Sequence, residues 1–591
     1  MLNYICCILA IPLVITIITL RINKQKIDAN NISMLLFLSN IIINIVSYIL
    51  QSKLIISIED FNIGFYMSYI IIEIVIIYIL EMIIMNIKNN YKVKIYYYKI
   101  STIISSIIAI ICFIYFGWLL ELSGRMSISQ FFYNMNTPVN TSTGNFYDEV
   151  IPFIMFIILM IGLYIIIVLK NKQLIEINKN NKLSIDKHKR SIARMIPILL
   201  MVCSMILPIY TFNLQDIFNY LDKSEDYFKT NYVNPNDVNI SFPTKKRNLV
   251  YIFVESFESS MFSKELGGID DVNELEKLTP IMEKGVNFSN NNYYGGAISL
   301  PATTWTIAGM SAHLGGVNYN MPLDLDESKT NVKLLPGLVT LGEILNKEGY
   351  TQKYMIGAIA NNYNLGPFFK YHNNAEIIDL GVKKNDGSIP MDYLVHWGFE
   401  DKKLFGFAKE ELEELAKSEQ PFALTISTND THGPKGYTDE ACSKLSDDPY
   451  VNSIRCTDSN LSEFLNWIQE QSFYENTTVV VVGDHLGLGI EYYKKFDNDN
   501  RRIFNLILNH NSPYKEFNNK NRNFGAIDMF PTVVSSLGAN IEGNKLGLGV
   551  NLFSNEQTLI EKTSTNDVIN NLTKGSEYFN DKFVYSKTEY K

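Results

Sequence analysis

The stretch TTVVVVGDHLG, residues 477–487, decides the fold. Four consecutive valines are β-branched and apolar on both faces of an extended chain, the pattern of a strand buried in a parallel sheet. The run stops at Gly483, and an acid and an imidazole follow at once, Asp484 and His485. Three further runs share its character: LVYIFVE (249–255), PFALTIST (421–428) and FNLILN (504–509). Between them lie segments with helical spacing, EKLTPIMEKGVNF (276–288), LSEFLNWIQEQ (461–471) and AIDMFPTVVSSLG (526–538). LVTLGEILNKEGYTQKYMIG (338–357) reads as helix, glycine, then strand. Strands alternating with helices of roughly 10–15 residues predict an α/β layer fold with a mainly parallel sheet.

In such sheets, sites collect beyond the carboxyl ends of the strands. Glu255 ends the first strand, His432 follows the 421–428 strand within NDTHGP, and Asp484 and His485 end the valine strand. Singly, each has a plain structural explanation: a cap partner, a surface-loop residue or a turn residue. Three strand ends finishing in such groups form a set, and carboxylates with an imidazole suit a divalent cation such as Mn²⁺, Mg²⁺ or Zn²⁺. A fifth element, GGAISLPATTWTIAGM (295–310), leads small residues into two threonines and an apolar helical run. A hydroxyl there meets backbone N–H groups and the positive end of a helix dipole. Thr303 or Thr304 is therefore either a nucleophile for a phosphorus centre or a helix cap.

The first third is of another kind. Six apolar runs, roughly 4–20, 33–51, 64–86, 100–120, 151–169 and 195–213, are each long enough to cross a hydrocarbon core of ~30 Å. Stretches such as FIMFIILMIGLYIIIVL are apolar on every face, unlike the helices of a soluble core. The first run has no basic n-region and no small-residue cleavage site, so it reads as a retained helix. The loops after the first, third and fifth runs carry clustered Lys and Arg, whereas those after the second and fourth carry only Lys53 and Arg125. That alternation places the N-terminus, and everything after residue 213, outside the cytoplasm. Glu73, in mid-run, is either a functional carboxylate or a protonated one bonded to a neighbouring helix. The expected organisation is a membrane domain of about six helices (1–213), a linker (214–246), a catalytic domain (247–556) and a polar tail with some strand character (557–591).

Residues 1–213 hold 17 Lys+Arg and 10 Asp+Glu, and the remainder holds 35 and 51. So acidic an exported part argues against a nucleic-acid partner. Four of the 6 cysteines lie in apolar runs, and no CxxC pair suggests structural zinc. Cys442 and Cys456 lie in the exported part, where sequence leaves a disulfide between them open.

Taken in order, VESFES, TPIMEKGVNF, ATTWTIAGM, WGFEDKKLF (397–405), STNDTHGP and VVVVGDHLG resemble the alkaline-phosphatase-superfamily transferases of bacterial membranes. That group includes lipoteichoic acid synthases, phosphoethanolamine transferases and phosphoglycerol transferases, and the last are most similar at WTIAGM and DHL. The resemblance covers most of 247–556 and implies an alkaline-phosphatase-like α/β/α sandwich. It implies metal ligation by Glu255, Thr303, Asp484 and His485, with Mn²⁺ favoured. It implies Thr303 as nucleophile with Thr304 as the alternative, His432 as acid or base on the substrate side, and Asp392 and Trp397 as head-group contacts.

The implied reaction takes phosphoglycerol from phosphatidylglycerol to a hydroxyl of a periplasmic or cell-surface glycan. It runs through a glycerophosphoryl-threonine and releases diacylglycerol at the outer face of a bacterial cytoplasmic membrane. PATTWTIAG lacks the C/S-x-P-x-R pattern that sulfatases convert to formylglycine, so sulfate-ester hydrolysis is not expected. No cysteine flanks Thr303, which separates the chain from most phosphoethanolamine transferases. The competing readings are a phosphoethanolamine transferase, a head-group hydrolase and a non-catalytic membrane protein. Oligomeric state is not legible.

Overall fold

A buried strand, β1 (Asn248–Val254), lies in the middle of an eight-stranded sheet. The other strands are β2 (Gly285–Val286), β3 (Gly296–Ala297), β4 (Thr351–Ile356), β5 (Glu376–Ile378), β6 (Phe422–Ser427), β7 (Thr477–Gly483) and β8 (Ile503–Leu508). Their order is β2-β8-β7-β1-β6-β4-β5, with β3 also paired to β8. The five strands from β7 to β5 run parallel. β8 runs antiparallel to β7, and the short β2 and β3 run antiparallel to β8. The computed structural model describes residues 226–320, 334–487 and 490–586. The expected membrane domain, Glu73 and the first part of the linker lie outside the described residues. Among the described residues no helix is long and apolar enough to cross a membrane.

The period-2 geometry of a strand explains the layers. Tyr251 and Phe253 of β1 enter a core shared with α1 (Thr306–Gly315) and α6 (Met529–Ser536), beside Met310 and Phe530. Val250, Ile252 and Val254 enter the opposite core, shared with α4 (Asp401–Leu415) and α5 (Pro449–Glu470), beside Leu404 and Ile454. Both faces are covered, which is why β1 and β7 read as continuous apolar runs. The first core also takes in α2 (Leu341–Lys347) and α3 (Leu365–Asn373). α2 opens with a capping box in which Thr340 and Glu343 satisfy each other's backbone N–H. α5 opens on Asp448, which accepts from Tyr450 N, with Pro449 in the first turn.

Cys442 and Cys456 form a disulfide, tying the long loop after β6 to α5. Three expectations are revised. The helix expected within 276–288, with its stop at the glycine, is short, Thr279–Met282, and Gly285–Val286 becomes β2 on the sheet edge. The end of the expected linker is part of the domain: Phe228 is buried against Phe579, and Ile240–Ser241 pairs with Asn540–Ile541. The described part of the tail, to residue 586, is largely helical, with Thr565–Leu572 as its longest segment, and Val568, Leu572, Phe579 and Phe583 join the first core. Their 4- and 7-residue spacing outweighs the few β-branched residues that suggested a strand.

Candidate active site

Register brings the strand ends together. Val254 of β1 lies beside Gly483 of β7, so the next residues, Glu255 and Asp484, leave the sheet side by side. On the other flank Phe253 pairs with Ser427, which sends Thr428–His432 over the same edge. The Glu255 N–H donates to Thr428 Oγ1 at 3.1 Å, and the Thr431 hydroxyl donates to the Glu255 carbonyl.

Glu255, Asp484 and His485 are all buried, and one ligand atom from each lies within 4.8 Å of the others. His485 Nε2 is 3.5 Å from Glu255 Oε1 and 3.4 Å from Asp484 Oδ2. Its Nδ1 lies 2.8 Å from the Leu486 carbonyl, which only accepts, so Nδ1 carries the proton and donates. In the neutral ring that leaves the Nε2 lone pair toward the two acids. Asp484 Oδ1 accepts from the backbone N–H groups of Ser256 and His485, both at 2.8 Å. Burial pushes the Asp484 carboxyl up to about 7, and the adjacent Glu255 charge adds to this. Burial opposes the charge of Glu255 too, but the His485 and His432 imidazoles and the Ser256 hydroxyl hold its carboxyl below the usual value. Burial also works against a charged His485, which the facing Asp484 and Glu255 more than offset, raising it. Two carboxylates and a correctly tautomerised imidazole, brought together out of water, fit a divalent cation.

The threonine turn lies directly beside this cluster. A Cβ built on Gly309 of α1 would sit 2.1 Å from the Asp484 carbonyl oxygen and 3.6 Å from that of Thr303. Glycine is what lets α1 press its first turn onto the end of β7. Thr303 is fully buried, and its hydroxyl donates to the Leu300 carbonyl at 2.8 Å. Thr304 is half-buried. The Thr306 hydroxyl reaches the acids, 3.5 Å from Glu255 Oε2.

His432 is half-buried, its Nδ1 3.0 Å from the Gly433 carbonyl and its ring 4.5 Å from that of Trp397. Trp397 therefore borders the site through His432. Asp392 is exposed, and among the described residues it makes no hydrogen bond or ion pair with the site.

Sequence reasoning missed three side chains here. Thr306 gave no signal beyond its place three residues after Thr303. His396 packs between Trp397 and Tyr437, 6.4 Å from the His432 ring, in a left-handed conformation (φ 52°). Burial and the neighbouring His432 lower it to about 4, and among the described residues its Nε2 has no hydrogen-bond partner. His313 of α1 supports β7 from behind, 3.1 Å from the Gly483 carbonyl and 3.4 Å from the Tyr251 hydroxyl. Burial lowers it to about 3, so it stays neutral.

A mainly parallel sheet with two acids and an imidazole at its carboxyl edge can hold a divalent cation where a substrate would enter. Residues 247–539 match the Sulfatase family model. Over 326 residues it is 29% identical to phosphoglycerol transferase I of Salmonella choleraesuis, covering 54% of this chain and 40% of that protein. It is 28% identical to phosphoglycerol transferase I of Citrobacter koseri over the same shares. The match thus spans 40% of the length of these curated relatives. Among solved structures, the lipoteichoic acid synthase LtaP of Listeria monocytogenes aligns with a TM-score of 0.41 at 18% identity, over 54% of this chain and 82% of that one.

Proposed function

We propose that this chain is a membrane-anchored phosphoglycerol transferase. It takes the phosphoglycerol group of phosphatidylglycerol and passes it to a hydroxyl of a periplasmic or cell-surface glycan. The observation that carries the reading is the convergence of Glu255, Asp484 and His485 beside a threonine-bearing helix start. The similarity to phosphoglycerol transferase I supports the choice of group.

Glu255, Asp484 and His485 would hold the divalent cation, with Mn²⁺ as first candidate, and Thr303 would complete the set during attack. The cation would acidify the threonine hydroxyl and offset charge on the transferred phosphoryl group. Thr303 leaves the Leu300 carbonyl and attacks phosphorus as its proton passes to solvent; the P–O bond to diacylglycerol breaks, the departing oxygen takes a proton from solvent, and a glycerophosphoryl-threonine remains. Thr306 orients Glu255. An acceptor hydroxyl then attacks the intermediate, and His432, whose Nδ1 is engaged by Gly433, takes that proton at Nε2. Trp397 holds the His432 ring and closes one side of the head-group site. The apolar runs of 1–213 would keep this chemistry at the lipid surface, where the donor's effective concentration is high. Such a placement, with the domain facing the periplasm or cell exterior, accords with the Cys442–Cys456 disulfide.

The test is the intact mass of the full chain in detergent after incubation with phosphatidylglycerol and Mn²⁺, beside Thr303→Ala. One glycerophosphoryl group on the wild type alone is expected. An adduct from a phosphoethanolamine lipid instead would move the protein to the neighbouring branch. Product formed without an acceptor would make it a hydrolase.

A further inference from the structure

Behind the acid cluster lies a second, fully buried charge pair. Glu258 is three residues past Glu255, and Arg501 precedes β8. Arg501 Nε donates to Glu258 Oε2 at 3.0 Å, and Nη2 pairs with Oε1. Both members also grip one backbone residue, Gly487, two positions after His485. The Gly487 N–H donates to Glu258 Oε1 at 3.0 Å, and Arg501 Nη2 donates to the Gly487 carbonyl at 2.6 Å. The Arg501 guanidinium lies 4.1 Å over the Tyr493 ring. The Tyr493 hydroxyl donates to the Ser256 carbonyl at 3.2 Å, and the Ser256 N–H donates to Asp484 Oδ1. The connections close a ring that runs from one strand end to the other and back.

We propose that Glu258 and Arg501 are positioning residues, which fix the Glu255 strand end against the Asp484–His485 strand end and so set the affinity of the site for a divalent cation. The inference rests on the metal reading above and extends it to groups that touch no ligand atom.

Three observations favour positioning over mere stabilisation. A buried ion pair gains little stability over an apolar pair of the same shape, so stability alone is a poor reason for one here. Beyond its bidentate fork on Glu258, Arg501 directs an Nη2 donor to the loop that carries Asp484 and His485, while Nη1 donates to Asn498 Oδ1; a point charge would leave these directions free. Ser256, the hinge of the ring, has φ 51° although it is not glycine. Strain of that kind persists only where the surroundings over-determine the backbone.

The test uses metal-stripped full-length protein in detergent, titrated calorimetrically with Mn²⁺. Arg501→Lys keeps the charge and loses the fork, and is expected to weaken Mn²⁺ binding about tenfold, the scale of outer-shell changes. Turnover should return at saturating Mn²⁺, which a general loss of folded structure would not allow. Tyr493→Phe keeps the ring and removes only the bond to Ser256, and is expected to weaken binding in the same sense by less. If Arg501→Lys does not fold, Tyr493→Phe decides. Mn²⁺ affinity equal to wild type in the folded variants overturns the proposal, as does lost turnover that saturating Mn²⁺ fails to restore. Absence of Mn²⁺ binding by the wild type itself would instead overturn the metal reading, and this inference with it.

Discussion

The Thr306 hydroxyl lies 3.5 Å from Glu255 Oε2, whereas the Thr303 hydroxyl is turned to the Leu300 carbonyl 2.8 Å away. The two hydroxyls therefore face different partners. Thr303→Ala is expected to abolish the covalent adduct and to slow transfer by at least about a thousandfold, the scale of losing a nucleophile. Thr306→Ala removes one hydrogen bond and is expected to cost about tenfold, with the adduct still formed. Intact mass and initial rates on both variants and on Thr304→Ala decide. An adduct that survives in Thr303→Ala and vanishes in either of the others reassigns the nucleophile.

Glu255→Gln and Asp484→Asn keep shape and remove charge. Each is expected to weaken Mn²⁺ binding at least about a hundredfold, beyond the usual effect of an outer-shell substitution. Chelation of the wild type should stop transfer, and added Mn²⁺ should restore it. Equal calorimetric titrations of wild type and both variants would place the cation elsewhere.

Gly309→Ala puts a methyl group 2.1 Å from the Asp484 carbonyl oxygen, so α1 must withdraw from the end of β7. The expected cost is about 1–3 kcal/mol of stability together with lost turnover. Gly406, inside α4, has open space where a Cβ would go. Gly406→Ala should therefore stabilise the domain by about 0.5–1 kcal/mol. Thermal unfolding of the pair reads the difference, and equal shifts would refute the close approach.

The loop that carries His432 is braced by two buried acids. The Asp401 N–H donates to Asp430 Oδ2 at 3.1 Å, and the Asp430 N–H donates to Asp401 Oδ2 at 3.2 Å. Burial and, next, the facing Asp401 push Asp430 up to about 10, and burial pushes Asp401 up to about 7. Both folded values lie above the unfolded ones, near 4. The folded state therefore binds more protons, and stability is lost as pH rises from about 4 through the folded values. Asp430→Asn keeps an acceptor for the Asp401 N–H and removes one of the two titrations. Its melting temperature is expected to fall less than that of the wild type between pH 6 and pH 9. Parallel melting curves across that range would show that the pair does not titrate there.

The strands were legible because burial on both faces leaves a local mark: β1, β6, β7 and β8 lie within a residue or two of their apolar runs. Glu255, Asp484 and His485 were legible because chemistry at a parallel sheet collects where such runs stop. The small strands β2 and β3 left no such mark, since two residues at an edge carry no period. The tail and the segment around Phe228 read locally as appendage and linker, because their apolar residues find partners about 350 positions away in sequence, as Asp226 does with Ser576.

By itself the sequence determined the order of strands and helices, the acidic character of residues 214–591 and the residue types at each strand end. These follow from periodicity and composition, which are local. Only the tertiary structure decided that Glu255 and Asp484 leave the sheet side by side, because that depends on the register of two strands more than two hundred residues apart. It alone turned Thr303 toward Leu300 and Thr306 toward Glu255, joined Cys442 to Cys456, and closed the Glu258–Arg501 pair around Gly487. Each of these is a contact across the fold, fixed by packing between elements, which no window of sequence contains.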